Sequence, residues 1–483
     1  MTDTTPEPRP AATLVVLRDG PDGLEVLLTV RPRNLRFMGG ATVFPGGAVA
    51  PADADPRWAE ACTSPPDPGA RTACVCALRE AFEEVGLLLA DGPAIPRAYS
   101  HEGRQFLEAC LEAGTRLRAD RLVPGGRWVT PSGSPIRFDA HFFLTEAPPG
   151  WAPDPDPDEV ASVRWASPRG ALDDLASGAA LMAPPTIEML QHLEGLSDVA
   201  AALAALTETP VGTQRVLSAR VSPLVHVVLA PNPGLMTGPG TNTYVVGSGP
   251  TVVVDPAVAD DDYVTEVARV AGEVAAIVVT HRHSDHTGGV TALCAALGED
   301  VPVRAWGNEP LDDVRPEPLG DGEIVRAGGI DLRALLTPGH ASDHVCLYVE
   351  ATATLFSGDT ILGEGTAVIA PPDGDMGDYL ESLERLRGLH VERIFPGHFR
   401  ALNGGRDVIE GYIAHRMARE QGILDALAAG AATIDEIVER AYQDTPRELH
   451  PAAALSATAH LELLERGGRA ISEDHRWRLA GVD

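Results

Sequence analysis

The sequence predicts a multidomain chain of mixed α/β and α+β class, on three observations. Its 483 residues exceed what one ordinary core accommodates, so domains of ~100 to 250 residues are expected. Near Val216 the texture changes from strands mixed with helices to short Val-rich strands ending in Gly, Pro, Asp or His. Near residue 405 it changes again and the chain turns helical. The expected domains are therefore 1–207, 208–405 and 406–483.

In the first part, ATLVVL and LEVLLTV are β-branched, apolar runs separated by the turn DGPDG, so they read as strands leading to VFPGG. A helix is expected near residues 71 to 90, then strands at IRFDAHFFL and VRWAS. The segment 183 to 207 reads as one helix, with PPT at its start and Leu190, Leu193 and Leu196 along it. In the tail, helices are expected over 406 to 428, after Thr433 as N-cap, and over 449 to 467. The alternating RAISEDHRWRL suggests a small hairpin, and helices followed by a two-stranded wing suggest a winged helix.

Composition excludes several classes. The net charge is -31 and arginine is the only strong base, which argues against a bulk electrostatic grip on nucleic acid, so any polyanion substrate must be held by metal and local arginines. No run of eighteen apolar residues occurs, and the start MTDTTPEPRP lacks the pattern of a signal peptide. A cytoplasmic protein with no membrane association is expected. The six cysteines form no framework, and Cys74 and Cys76 lack the spacing of a zinc knuckle, so reduced, mostly buried thiols are expected.

The middle part carries the chemistry. In VVTHRHSDHTGG, the run AAIVVT reads as a buried strand whose end delivers His281, His283, Asp285 and His286 into a loop. Two metal ions about 3.5 to 4 Å apart need roughly seven ligands, so further His and Asp are expected at other strand ends. LRALLTPGH supplies His340, ATLFSGD supplies Asp359 and VERIFPGH supplies His398. Asp255 likewise follows TVVV. One edge of a β-sandwich would bear them all, whereas single histidines such as His226 and His390 read as ordinary surface or core residues.

The set HxHxDH, PGH, SGD and PGH resembles the metallo-β-lactamase superfamily over roughly residues 216 to 405. The resemblance implies an αββα sandwich in which His281, His283 and His340 hold one zinc, Asp285, His286 and His398 the other, and Asp359 bridges them. Imidazole and carboxylate suit Zn²⁺, and a metal pair brings the pKa of a bound water to about 7, so hydrolysis follows. Asp285 would orient that nucleophile as the catalytic carboxylate, and Asp255 would support a ligand from behind rather than touch metal.

Within the superfamily, NPGLMTGPGTNTYVVG and TPGHASDH look like the β-lactamase-like group that includes a mitochondrial single-strand endoribonuclease and ends in a winged helix. The resemblance implies a phosphodiesterase acting on single-stranded RNA. The tail from 406 has nine arginines against fourteen acids, so dimer contact or active-site cover are alternatives to substrate binding there, and a homodimer is an open expectation. The same ligands occur in glyoxalase II-like thioesterases, so an acyl-coenzyme A or glutathione thioester is the alternative substrate.

In the first part, REAFEEVG spaces Glu80, Glu83 and Glu84 at i, i+3 and i+4, bringing three carboxylates to one helix face, with Gly86 as a stop. With Gly46 and Gly47 of VFPGG ahead of it, the segment resembles the Nudix box, which implies an α/β/α sandwich. By resemblance these glutamates bind Mg²⁺ or Mn²⁺ and act on a nucleoside-diphosphate linkage, with Glu83 and Glu84 as catalytic candidates. The pattern departs from the box in its long loop after Gly47 and in having Arg71 where the first glutamate belongs. A non-catalytic, nucleotide-sensing module is therefore an alternative. Glu159 sits where such proteins often carry another acid. LLTVRPRNLRFMGGATVFPGG partly resembles Nudix coenzyme A diphosphatases, and Arg31, Arg33 and Arg36 are candidates for substrate phosphates.

Overall fold

A computed structural model describes residues 7–32, 39–65, 67–99, 103–130, 137–177, 179–208, 212, 216–298, 301–474 and 476–481. The chain divides into two compact units, Met1–Pro223 and Leu224–Asp483. No helix among the described residues is long and apolar enough to cross a membrane.

The first unit is built on a mixed sheet. Strand Arg9–Gly20 pairs antiparallel with Gly23–Val30 and Gly46–Ala48, and parallel with Phe138–Glu146. Because strand side chains alternate, Ala12, Leu14 and Val16 point to one face, where they share a core with Val75, Leu78 and Phe82 of the Arg71–Val85 helix. Val15 and Leu17 are also fully buried, so the opposite face is covered too. A strand buried on both faces is what an α/β/α layering requires.

One expectation meets a different outcome here. The single helix over 183 to 207 is two, Pro184–Leu193 and Val199–Glu208. Between them Gly195 adopts φ +82, outside the helical region, and Asp198 accepts a hydrogen bond from Ala201 N at 2.9 Å to open the second helix. The helix expected near 71 to 90 spans Arg71–Val85, and Gly86, the expected stop, takes the left-handed conformation at φ 70. The long loop after Gly47 is structured, with a 3-10 turn Pro51–Ala54 and a short helix Trp58–Ala61. Arg33 and Arg36 lie outside the described residues.

Two larger sheets form most of the β-structure described in the second unit. One runs in the order Val225–Leu229, Asn242–Val246, Thr251–Val254, Val274–Val278, Val303–Ala305 and Glu317–Pro318. The other runs Ile324–Ala327, Ile330–Leu336, Val345–Val349, Thr354–Gly358, Arg393–Pro396 and Leu402–Asn403. Thr251–Val254 and Val274–Val278 are parallel, as are Thr354–Gly358 and Arg393–Pro396. Parallel neighbours deliver their carboxyl ends side by side, so the residues that follow each pair emerge together.

The tail follows the sequence closely. Gly405–Ala428 is one long helix, and Thr433 caps Ile434–Ala441 through a capping box with Glu436. His450–Arg466 follows, then the hairpin of Ala470–Glu473 with Arg476–Leu479. Its own apolar core joins Ile423, Leu427, Ile437, Leu461 and Trp477.

Candidate functional site

The second unit brings seven side chains together, each from just beyond a strand. His281, His283, Asp285 and His286 follow Val274–Val278, and His286 falls in the single helical turn Ser284–Thr287. His340 follows Ile330–Leu336, Asp359 follows Thr354–Gly358, and His398 follows Arg393–Pro396. Gly288 and Gly289 let that turn approach the chain at 256–258: a Cβ at Gly289 would stand 2.6 Å from Val258 O.

Three sets of ligand atoms lie within 4.8 Å of one another: His281, His283 and His340; His281, His286 and Asp359; Asp285, His286 and His398. Asp359 faces both ends of the cluster. Its Oδ1 is 3.4 Å from His286 Nε2, and its Oδ2 is 3.7 Å from His340 Nε2 and 3.4 Å from His398 Nε2. Asp285 Oδ2 is 3.3 Å from His398 Nε2. These groups are buried apart from the partly exposed His283, His340 and Asp285.

Backbone and outer side chains orient the rings. Asp255, at φ 54, accepts from Thr280 N at 2.7 Å, from Thr280 Oγ1 at 2.7 Å, and from His286 Nδ1 at 2.8 Å. His340 Nδ1 lies 2.8 Å from Val368 O. A ring nitrogen held in this way fixes the tautomer and turns the other nitrogen toward the cluster.

Electrostatics follow from burial and crowding. Burial, with His286 and His344 beside it, pushes the His281 imidazole well down, so it is neutral and free to donate its lone pair. Burial raises the Asp359 carboxyl, but His398 and His286 outweigh it and hold the group well below the usual carboxylate range. His398 moves the other way: burial lowers it, yet Asp359 and Asp285 bring it to about 9. Asp359 Oδ1 is nevertheless a buried oxygen without a hydrogen-bond partner.

One residue of this neighbourhood was missed in the sequence. His344 is fully buried, its Nε2 accepts from Asp359 N at 3.0 Å, and its ring lies tilted 5.0 Å from that of His281. It stands four residues after His340 in TPGHASDH, and that spacing was the available signal. His226 and His390 lie apart from the seven, on Val225–Leu229 and beside Glu392 at 3.3 Å.

In the first unit, Glu80, Glu83 and Glu84 lie on the Arg71–Val85 helix with Gly46 and Gly47 beside them. Gly46 N donates to Glu84 Oε2 at 3.2 Å, and a Cβ at Gly47 would stand 2.5 Å from the Glu80 carboxylate. Arg79 is 2.8 Å from Glu80 and 3.1 Å from Glu83. Burial, reinforced by Glu80 and Glu159, raises the Glu84 carboxyl well above its ordinary value, and burial also raises Glu80. Arg31 is half-buried and acts on Glu84 as a nearby cation, whereas Arg71 opens the helix. A residue outside the box completes the group: Asp53, from the structured loop, takes Arg79 through two hydrogen bonds of 2.9 and 3.0 Å. No local sequence signal marks Asp53. All six cysteines are free thiols, five of them buried.

Comparison with known proteins agrees with both halves. The NUDIX domain family matches residues 8–185, the metallo-beta-lactamase superfamily residues 236–398, and a beta-lactamase associated winged helix domain residues 433–477. A beta-lactamase-like protein 2 homolog of Drosophila melanogaster is 37% identical over 271 residues, 52% of this chain and 90% of its own. Its Caenorhabditis elegans counterpart is 32% identical over 259 residues, 52% of this chain and 86% of its own. Among solved structures, a NUDIX hydrolase from Alicyclobacillus acidocaldarius is 35% identical, covering 41% of this chain and 96% of its own with a TM-score of 0.38. The matched domains and the Drosophila relative together show that the chain belongs to the metallo-β-lactamase superfamily, as a metal-dependent hydrolase of that fold fused behind a NUDIX domain and ahead of a winged helix.

Proposed function

We propose that the second unit is a binuclear-zinc hydrolase that cleaves phosphodiester bonds of single-stranded RNA, and that the first unit acts on a nucleoside-diphosphate linkage. The observation that carries the metal reading is Asp359, a buried carboxylate with an oxygen that no donor satisfies, facing histidines on both sides. A buried carboxylate left so is costly, and a cation relieves it. The donor set of imidazole nitrogens and carboxylate oxygens fits Zn²⁺. His281, His283 and His340 would hold one ion, Asp285, His286 and His398 the other, and Asp359 both. When bound, the pair would supply Lewis acidity and a water acidified into the neutral range.

The chain's own residues do the remaining work. Asp285 is partly exposed, with a side chain 31% accessible, so its carboxylate can meet both solvent and substrate and orient the attacking water. Asp255 holds the His286 ring and Val368 O the His340 ring, which keeps the donors in place through the reaction. RNA is favoured as the substrate by the NPGLMTGPGTNTYVVG segment and the tail. That segment lies along the His398 strand end: Thr241 bridges His398, and Asn242 N donates to Gly397 O at 2.7 Å. With the chain at -31, RNA affinity should be modest and should depend on the metal. Leu235 and Met236 on the same segment are 53% and 50% exposed, and this apolar pair favours the second reading, an acyl-coenzyme A or glutathione thioester.

In the first unit, Glu80, Glu83 and Glu84 would hold Mg²⁺ or Mn²⁺, because burial and mutual repulsion already disfavour their charge and a hard cation would offset it. Arg31 would meet a substrate phosphate. The pairing of Arg79 with Glu80 and Glu83 favours, as an alternative, nucleotide sensing without turnover. Cleavage of end-labelled, unstructured RNA by zinc-loaded protein, beside Asp285→Asn and Glu83→Gln, tests the assignment. Fragments from wild type and Glu83→Gln but not Asp285→Asn are expected. Intact RNA in all three, with turnover of a thioester panel, would overturn the RNA reading. Hydrolysis of nucleoside diphosphates abolished by Glu83→Gln would exclude the sensing role.

A further inference from the structure

Arg416, in the Gly405–Ala428 helix, is only 2% exposed and has no ion-pair partner among the described residues. Burying a guanidinium without a carboxylate is unfavourable, so what it does hold is informative. Its Nη2 donates to Ala367 O, its Nε has no partner, and its guanidinium stacks 5.0 Å from the Tyr379 ring. Ala367 is next to Val368, whose carbonyl oxygen is 2.8 Å from His340 Nδ1.

Other tail residues converge on the same short stretch. The Tyr412 hydroxyl accepts from Leu362 N at 2.9 Å and lies 2.9 Å from Gly365 O. Ser456 Oγ, from the His450–Arg466 helix, accepts from Ile369 N at 3.2 Å. Residues 361–370 are thus gripped at Leu362, Gly365, Ala367 and Ile369 by three buried side chains of two tail helices. A second route reaches His340 from its other side. Arg466 Nη1 is 2.7 Å from Asp375 Oδ2, and Asp375 N donates to Gly339 O at 2.9 Å.

We propose that the tail helices set the position of the His340 ring, with Arg416 and Tyr412 as positioning residues that hold residues 361–370 and through them the Val368 carbonyl. This rests on the reading of His340 as a zinc ligand. It assigns the tail a structural hold on the metal centre, whatever it contributes to substrate binding. The physical basis is that a carbonyl orients an imidazole only as well as its own backbone is held, and residues 361–370 include no strand or helix of their own.

The test uses the full chain as wild type, Arg416→Met, Tyr412→Phe and His340→Ala. Zinc affinities are measured by chelator competition, and amide hydrogen exchange is followed over residues 361–370. His340→Ala identifies which of the two zinc steps belongs to its site. Arg416→Met and Tyr412→Phe should weaken that step roughly ten- to a hundredfold, leave the other step unchanged, and raise exchange at 361–370. Tyr412→Phe removes one hydroxyl, so it answers the question even if Arg416→Met does not fold. Unchanged zinc affinity in the folded variants would overturn the proposal. If the wild type bound no zinc, the reading of the metal centre would fall, and the hold on 361–370 would stand or fall on exchange alone.

Discussion

At the scale of single residues, the second unit concentrates its constraints on backbone positions beside the donors. Asp255 sits at φ 54, a left-handed conformation that Asp and Asn tolerate better than other side chains. Asp255→Asn therefore leaves the backbone in place while removing the charge that three donors share. Zinc affinity should fall by about 10- to 100-fold with little change in the melting temperature, and metal content after dialysis against a chelator measures it. Gly358 combines φ +44 with close neighbours: a Cβ there would stand 2.6 Å from His344 Nε2 and 2.8 Å from Thr280 Oγ1. Neither neighbour can withdraw, because His344 also receives Asp359 N and Thr280 is held by Asp255. Gly358→Ala is expected to cost about 1–3 kcal/mol from strain and to displace Asp359. Unfolding in urea and zinc uptake would both register it, and an unchanged pair of values would refute the packing argument.

At the scale of elements, the Arg71–Val85 helix depends on a segment far away in sequence. Asp53 is fully buried with Arg79, so Asp53→Ala leaves a guanidinium that only Glu80 and Glu83 compensate. The loss should be about 3 kcal/mol, at the low end for breaking a buried pair because those acids remain. Faster hydrogen exchange along Arg71–Val85 would report it, and Asp53→Asn, which can still accept, should lose less. Asp53 also shows where legibility ended. The strands of the second unit and the donors beyond them were readable because β-branched runs ending in His or Asp are a local signal that needs no knowledge of the partner strand. The same holds for Gly86 as a stop and Thr433 as a cap, where one residue decides a helix end. Asp53 pairs with a residue 26 positions on, and nothing near it in sequence differs from an ordinary acidic loop. Helix 183 to 207 was misread because its hydrophobic spacing continues through the break, and a lone glycine in such a pattern is weak evidence against a helix. His344 escaped because its partners are a backbone amide and threonine hydroxyls, so its spacing from His340 was the one signal that could have marked it.

At the scale of the whole molecule, the acidic composition conceals a local cluster of arginine and imidazole groups in the tail, where Arg416, His415 and Arg419 surround His460. His460 is fully buried with neither ring nitrogen hydrogen-bonded, and His415 is half-buried beside Arg419. Burial, then Arg416, His415 and Arg419, push His460 down to about 3, and burial with Arg416 and Arg419 pushes His415 down to about 4. Both histidines are therefore neutral in the folded protein at pH values where the unfolded chain protonates them, near 6.5. The unfolded state then binds more protons, so stability rises with pH across this interval and is lost progressively as pH falls below about 6.5 toward 4. Replacing His460 by an apolar side chain removes one such proton without burying a charge. His460→Leu should reduce the pH dependence of unfolding between pH 6 and 4 by up to about 1.4 kcal/mol per pH unit, one proton's worth. Calorimetric melting of wild type and variant across that range measures the difference. Carboxylates elsewhere titrate equally in both proteins, so parallel curves would mean that His460 takes up its proton in the fold at the same pH as in the unfolded chain, and would refute the burial argument.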